Sequence, residues 1–294
     1  MVNQFRRDFG DIIIDLDQAA GQDFVEAFLD SEPNQLGARF RATLYRQTDG
    51  HALFTTELLR AMQERGDLRQ DETGAWVEGS TLDWDTLPAR VEGVVGERLG
   101  RLSEPLRELL RVACVEGETF TAEVVAHVLG LTQSKLGRQL RQELAERHRL
   151  VQADRLIRLD NCHLTRYRFR HVLTRKYLYS HLPEAERALL HEAVGQALEA
   201  LYGAQAEEVA VQLAWHFQAA GLVSRAITYL YQAGTRAARL AANAETVVYL
   251  TWGLFLLKTG PDSSERALRK PDFLTALGPI LLTVKSSLLQ NRTG

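Results

Sequence analysis

Apolar positions along this chain recur mostly at three- and four-residue intervals, the spacing of one buried helix face. Phe24, Val25, Phe28 and Leu29 mark a first such face, with Asp23 placed to cap it. Ser31-Glu32-Pro33-Asn34 breaks the pattern, and Leu36, Phe40 and Leu44 resume it. Thr48-Asp49-Gly50 reads as a turn feeding straight into a third helix. That helix turns Leu53, Phe54, Leu58 and Met62 inward, and Gly66 ends it. Ahead of all three, the β-branched run Ile12-Ile13-Ile14 reads as a buried strand end. Leu68 to Gln70 and Ala75 to Glu78 flank Asp71-Glu72-Thr73-Gly74, a hairpin signal, and a linker with Trp84 leads to Pro88 in a first helical turn.

From Pro88 to about Arg170 the pattern predicts four helices and then two strands. Val91, Val95, Leu99 and Leu102 mark the first helix; Leu106, Leu109, Leu110 and Ala113 mark the second. Thr121 stands where a cap would open a short third helix closed by Gly130, and Thr132 where a cap would open a fourth with Leu136, Leu140 and Leu144 inward. Leu150-Val151 and Tyr167 to Phe169 alternate as strands around the polar tip Asp160 to His163. Helix, turn, helix and a two-stranded wing form a winged-helix pattern.

Beyond His171 the chain reads as nearly continuous helix to Leu257, broken at His181 to Pro183, at Tyr202-Gly203 and at Gly221. Small and large apolar residues alternate in helical pairs there, from Ala214 and Phe217 to Val248 and Leu250, as in a tetratricopeptide-like solenoid. After Gly260-Pro261 periodicity fades. The expected fold class is therefore mostly α. Its segments would be a helical unit (1–66), a hairpin and linker (67–87), a winged-helix-like domain (88–182), tetratricopeptide-like helical repeats (183–260) and an irregular or truncated tail (261–294).

Composition narrows the function classes. The net charge of −3 over 294 residues does not suggest a chain built as a whole to bind nucleic acid or membrane surfaces. The two cysteines, Cys114 and Cys162, make neither a disulfide framework nor a Cys-rich metal site, which favours a reducing cytoplasm. No apolar run approaches the roughly 20 residues of a membrane span, and the N-terminus lacks the apolar core of a signal peptide. The histidines show no metal-ligand spacing and no nucleophile elbow is present, so no catalytic or metal-binding residue is expected. One local charge excess stands out: between Leu131 and Lys176 twelve Lys or Arg face four acids. Lys135, Arg138 and Arg141 follow one another along the fourth helix, where a winged helix would enter a major groove.

Several stretches, taken in order, carry a family resemblance. They are Gly50-His51-Ala52-Leu53-Phe54 with Glu57-Leu58-Leu59-Arg60, Leu87-Pro88-Ala89-Arg90-Val91, Glu97-Arg98-Leu99-Gly100-Arg101-Leu102, Phe169-Arg170-His171-Val172-Leu173 and Tyr229 to Gly234. Their order resembles the bacterial signal-transducing (STAND) ATPases in which an ATPase domain precedes tetratricopeptide-like repeats. The resemblance spans roughly Ile12 to Leu257 and implies the end of a nucleotide-binding domain with its helical lid, then a winged helix, then repeats. It implies that Gly50 and His51 lie near the adenine and that His171 reaches the β-phosphate of bound ADP. Where the family usually carries proline, Ala52 stands.

The chain contains no Gly-x-x-x-x-Gly-Lys-[Ser/Thr] and no apolar strand ending in paired acids for Mg²⁺. On the resemblance both would lie upstream of Ile12, so Met1 would begin inside the ATPase domain. The expectation is then a regulatory scaffold that is not catalytic alone. ATP or ADP with Mg²⁺ would be a cofactor only of an intact parent, and the partners would be a protein on the repeats and the nucleotide-binding half. Plainer readings remain open: Gly50 and His51 as a helix-start turn without ligand, and His171 as a packed corner. The alternative function is a DNA-binding regulator using Lys135, Arg138 and Arg141.

Overall fold

The computed structural model describes residues 21–159, 163–259 and 270–278. Among these the protein is mostly helical, as the periodicity predicts. The Ile12-Ile13-Ile14 strand reading lies outside the described residues, as does the tip at 160–162. The chain divides into two compact units, Met1–Glu108 with Gln139–Ala153 and Arg168–His181, and Leu109–Arg138 with Asp154–Tyr167 and Leu182–Gly294.

The first unit opens with α1 (Gln22–Leu29), α2 (Ala38–Thr48) and α3 (Ala52–Arg65), followed by the hairpin β1 (Leu68–Gln70) and β2 (Trp76–Glu78). Its core joins Val25, Leu29, Leu36, Phe40, Leu44, Leu58, Met62 and Leu68, with Trp76 and Trp84 packed against it. Arg41 on α2 ties down α1 through Glu26 and Asp30, each at 2.6 Å. Asp23 lies inside the first turn of α1, and the cap position belongs to Gly21. Gly66 closes α3 in the left-handed region, and the amide of Asp67 returns to the Met62 carbonyl at 2.9 Å, as in a Schellman ending. At the hairpin tip Asp71 Oδ1 accepts from the amides of Thr73 and Ala75, so the sequence signal works through an Asx turn. Next comes α4 (Ala89–Gly100), with Pro88 one place earlier than expected, at the cap. The unit is completed by a π-helical run (Gln139–Arg147) and α8 (Val172–Ser180). Gly96 of α4 lies so near Tyr177 of α8 that an added Cβ would stand 2.8 Å from its hydroxyl, and Lys176 donates to the Trp84 carbonyl at 2.5 Å.

The helix α5 (Glu104–Glu116) leads into β3 (Thr119–Thr121), α6 (Ala122–Leu129) and α7 (Gln133–Arg138). Strands β4 (Val151–Arg158) and β5 (His163–Phe169) join β3 in a three-stranded sheet of order β3-β5-β4. Both strands are longer than their alternation suggested, and the third was not anticipated. Thr121 does not cap α6 with its side chain; its hydroxyl and amide both donate to Glu116, at 2.7 and 2.8 Å. Burial outweighs these bonds and the nearby Arg166, and raises the Glu116 carboxyl to about 7.

The second unit continues through α9 (Glu184–Tyr202), a 3₁₀ stretch (Gly203–Val209), α10 (Ala210–Ala219), α11 (Val223–Arg239) and α12 (Asn243–Thr259). The break at 240–242 carries no Gly or Pro, and Ala241 takes a positive φ of 56° there. Residues 270–278, expected to be irregular, form a helix, α13. Glycines set the spacing of successive helices. A Cβ on Gly234 would come within 2.4 Å of Leu250, and one on Gly253 within 2.2 Å of Phe273. Glu199 of α9 accepts from both Arg225 and Tyr229 of α11, and the Arg225 guanidinium lies 3.8 Å over the Phe217 ring.

Glu116 yields a pH prediction. Its folded value is raised, so the native state keeps a proton that the unfolded chain loses, and this stabilisation fades as pH rises from about 4.5 to about 7. Glu116→Gln imitates the protonated form. Urea unfolding is expected to show the variant gaining up to about 3 kcal/mol on the native chain at pH 8 and nothing near pH 4.

Candidate functional site

Two histidines 120 positions apart in sequence meet in the first unit. His51 occupies the N-cap of α3 and His171 the N-cap of α8. Their rings meet edge to face with centroids 5.2 Å apart, and Phe54 completes the cluster at 4.4 Å from His51 and 5.1 Å from His171. Neither histidine caps its own helix with its side chain. Two helix starts, each carrying a partial positive charge, therefore flank the ring pair.

The turn before His51 explains its position. Asp49 and Gly50 both take positive φ, 51° and 69°, so the chain reverses sharply from α2 into α3. Gly50 is required twice over. Its conformation favours glycine, and an added Cβ would stand 2.4 Å from the Gly21 amide nitrogen. Thr48 braces the turn: its hydroxyl donates to the Leu44 carbonyl at 2.9 Å and accepts from Thr55 at 3.0 Å, while its carbonyl accepts from the His51 amide at 3.0 Å.

The electrostatics of the cluster are one-sided. His171 is buried, and desolvation, then His51, then Arg98 push its ring down to about 4; the Thr48 carbonyl acts in the opposite sense and Arg170 adds to the lowering. Burial and Arg98 lower His51 as well. Arg98, half-buried on α4, is itself lowered by burial and by Arg170. Three buried nitrogens, His51 Nδ1, His171 Nδ1 and Arg170 Nε, have no hydrogen-bond partner among the described residues. Unpartnered ring nitrogens beside two guanidinium groups suit an oxyanion such as phosphate once the rings carry a proton, and the Arg170 Nε–H is a donor at any pH. They do not suit a cation, and no group of three or more His, Cys, Asp or Glu able to hold a metal occurs among the described residues.

The structure thus unites Gly50, His51 and His171 and adds Arg98, Arg170 and Phe54. Both arginines lie inside stretches that carry the family resemblance, and Arg170 adjoins His171. No sequence spacing links them to His51; the packing of α4 and α8 does. Of the basic trio, Lys135 and Arg138 are exposed on α7, and Arg141 is exposed on the π-helical run that begins at the next residue.

No family model and no solved structure matches this chain. An uncharacterized protein of Rhizobium meliloti (strain 1021) is 29% identical over 191 residues, which is 65% of this chain and 18% of that protein. The chain therefore spans under a fifth of that relative's length. No helix among the described residues is long and apolar enough to cross a membrane.

Two outcomes follow from this geometry. Gly50→Ala is expected to cost roughly 2–4 kcal/mol in denaturant unfolding, from positive φ and the Gly21 contact together. The lowered His171 makes the unfolded chain take up a proton that the native state refuses. Stability is therefore lost as pH falls from about 6.5 to about 4, by roughly 3 kcal/mol from this ring alone. In His171→Gln, the decline in unfolding free energy over that window should be shallower by about this amount.

Proposed function

We propose that this chain is a regulatory scaffold of the STAND ATPase type, acting through protein–protein contacts and through domain packing that responds to a nucleotide. The observation that carries this reading is the meeting of His51 and His171 beside Arg98 and Arg170. The resemblance singled out both histidines from separate stretches as nucleotide neighbours, and each comes to rest at a helix start. On this reading the helices before Gly66 are lid, the segment from Pro88 to Leu182 is a winged helix and the helices after Pro183 are solenoid repeats. His171, fixed at the start of α8, would contact the β-phosphate of ADP and tie α8 to the α2–α3 turn. Loss of that contact would free the two to repack, which is a switch of domain packing. The repeats would present a surface to a protein partner, and hydrolysis would need a phosphate-binding loop from elsewhere.

A second reading, a DNA-binding winged helix, is favoured by one observation: Lys135 and Arg138 are exposed, with no ion pair to either among the described residues.

The two readings separate in one pair of measurements. Calorimetry with ADP should give weak binding that Arg98→Gln diminishes, and ATP with Mg²⁺ should release no phosphate above background. Mobility-shift titrations with duplex DNA should show nothing tighter than micromolar at physiological salt. Tight, steeply salt-dependent DNA binding that Lys135→Glu abolishes would replace the first reading with the second.

A further inference from the structure

His171 is 7% exposed, and its Nδ1 faces no acceptor among the described residues. The charges acting on it come from three elements: His51 at the start of α3, Arg98 on α4 and Arg170 at the end of β5. From α2 comes only the Thr48 carbonyl, which acts in the opposite sense. Three acids on the same helices are engaged elsewhere, Glu57 of α3 with Arg90 at 3.0 Å, Glu64 of α3 with Arg60 at 2.9 Å and Glu97 of α4 with Arg101. The corner thus gathers four basic groups, and no carboxylate is among the leading charges acting on His51, His171 or Arg98.

We propose that this corner is a proton-gated anion site. A phosphate-type dianion enters beside His51 and His171 together with a proton, and its affinity rises as pH falls. The proposal rests on the phosphate-facing reading above and adds the coupling to protons.

The physical reason lies in the imidazole. A neutral ring offers one donor and one lone pair, and a lone pair repels an oxyanion; a protonated ring offers two donors. Without an anion the corner disfavours that proton near neutral pH, because the neighbouring charges are positive and burial penalises the charged ring. A dianion reverses the balance, repaying the repulsion from Arg98 and Arg170 and accepting from the orphaned nitrogens. Linkage then requires the converse, that a proton on the pair strengthens the anion's hold. Because the rings touch, a charge on one disfavours a charge on the other, so the pair is expected to take up about one proton as a coupled unit. Arg98 and Arg170 stay charged throughout and supply attraction that does not vary with pH. The histidine pair adds the part that does.

Sulfate is the suitable probe, since its own charge is constant over the range tested. Calorimetry on the full chain from about pH 7.5 to about 5.5, in buffers of differing ionisation heat, should show sulfate affinity rising roughly tenfold per pH unit with about one proton absorbed. His171→Gln should remove most of that slope, while His127→Gln, at an exposed position on α6, should leave it intact. Histidine ring NMR of the native chain gives a reading that needs no variant: saturating sulfate should move the His171 titration up from about 4 by roughly three pH units or more, the shift that uptake of one proton across this range requires. Sulfate binding with no pH dependence, or a His171 titration unmoved at saturation, would overturn the coupling and leave the phosphate reading standing. Failure of both sulfate and pyrophosphate to bind at any pH would overturn both.

Discussion

A histidine buried among positive charges constrains the first unit more than any other interaction. Each element that builds the corner brings either a cation or a helix start: α3 and α8 begin there, α4 supplies Arg98 and the end of β5 supplies Arg170. Such a site is stable without a ligand only while its rings stay neutral. Apolar contacts hold it in that state. Phe54 is fully buried against both rings, and the helix core from Val25 to Met62 fixes the α2–α3 reversal that delivers His51. The polar corner therefore depends on an apolar frame that leaves its rings little room to relax.

Much of that frame was legible in the sequence, because it depends on local chemistry. Gly50 and Gly66 mark their turns through backbone freedom that only glycine supplies without strain, and Asp71 marks the hairpin through its own hydrogen bonds. What was not legible depends on choices that residue type does not announce, among nearby groups as well as remote ones. Thr121 looks like a cap, yet Glu116 captures both its hydroxyl and its amide. The break at 240–242 has no glycine or proline to announce it. Arg98 sits on a helix whose own periodicity gives no reason to prefer it over Arg101. Its neighbours come from segments 50 and 72 residues away, the His148 carbonyl and Arg170.

Two buried ionisable groups, one in each unit, act on stability with opposite signs. His171, lowered to about 4, favours the native state at high pH, whereas Glu116, raised to about 7, favours it at low pH. Their windows overlap and their magnitudes are alike, so a near-flat stability curve for the whole chain would conceal two steep contributions. Single substitutions at each position are more informative than the native profile, because each removes one slope and exposes the other.

The choice of histidine at both helix starts is itself an argument about use. Serine, threonine, aspartate or asparagine at an N-cap would satisfy a first-turn amide from within the chain, and each such cap typically contributes about 1 kcal/mol. Histidine at both positions forgoes that contribution, and neither ring turns back to cap its helix. An aspartate at either position would also have offset part of the charge of Arg98 and Arg170 and eased the buried repulsion. The corner instead keeps its positive charge, its uncapped helix starts and its orphaned nitrogens together in one place. A fold selected for stability alone would be expected to resolve at least one of these, since each has a one-residue remedy. On the proposed reading, an oxyanion from outside the described residues would meet all three requirements at once.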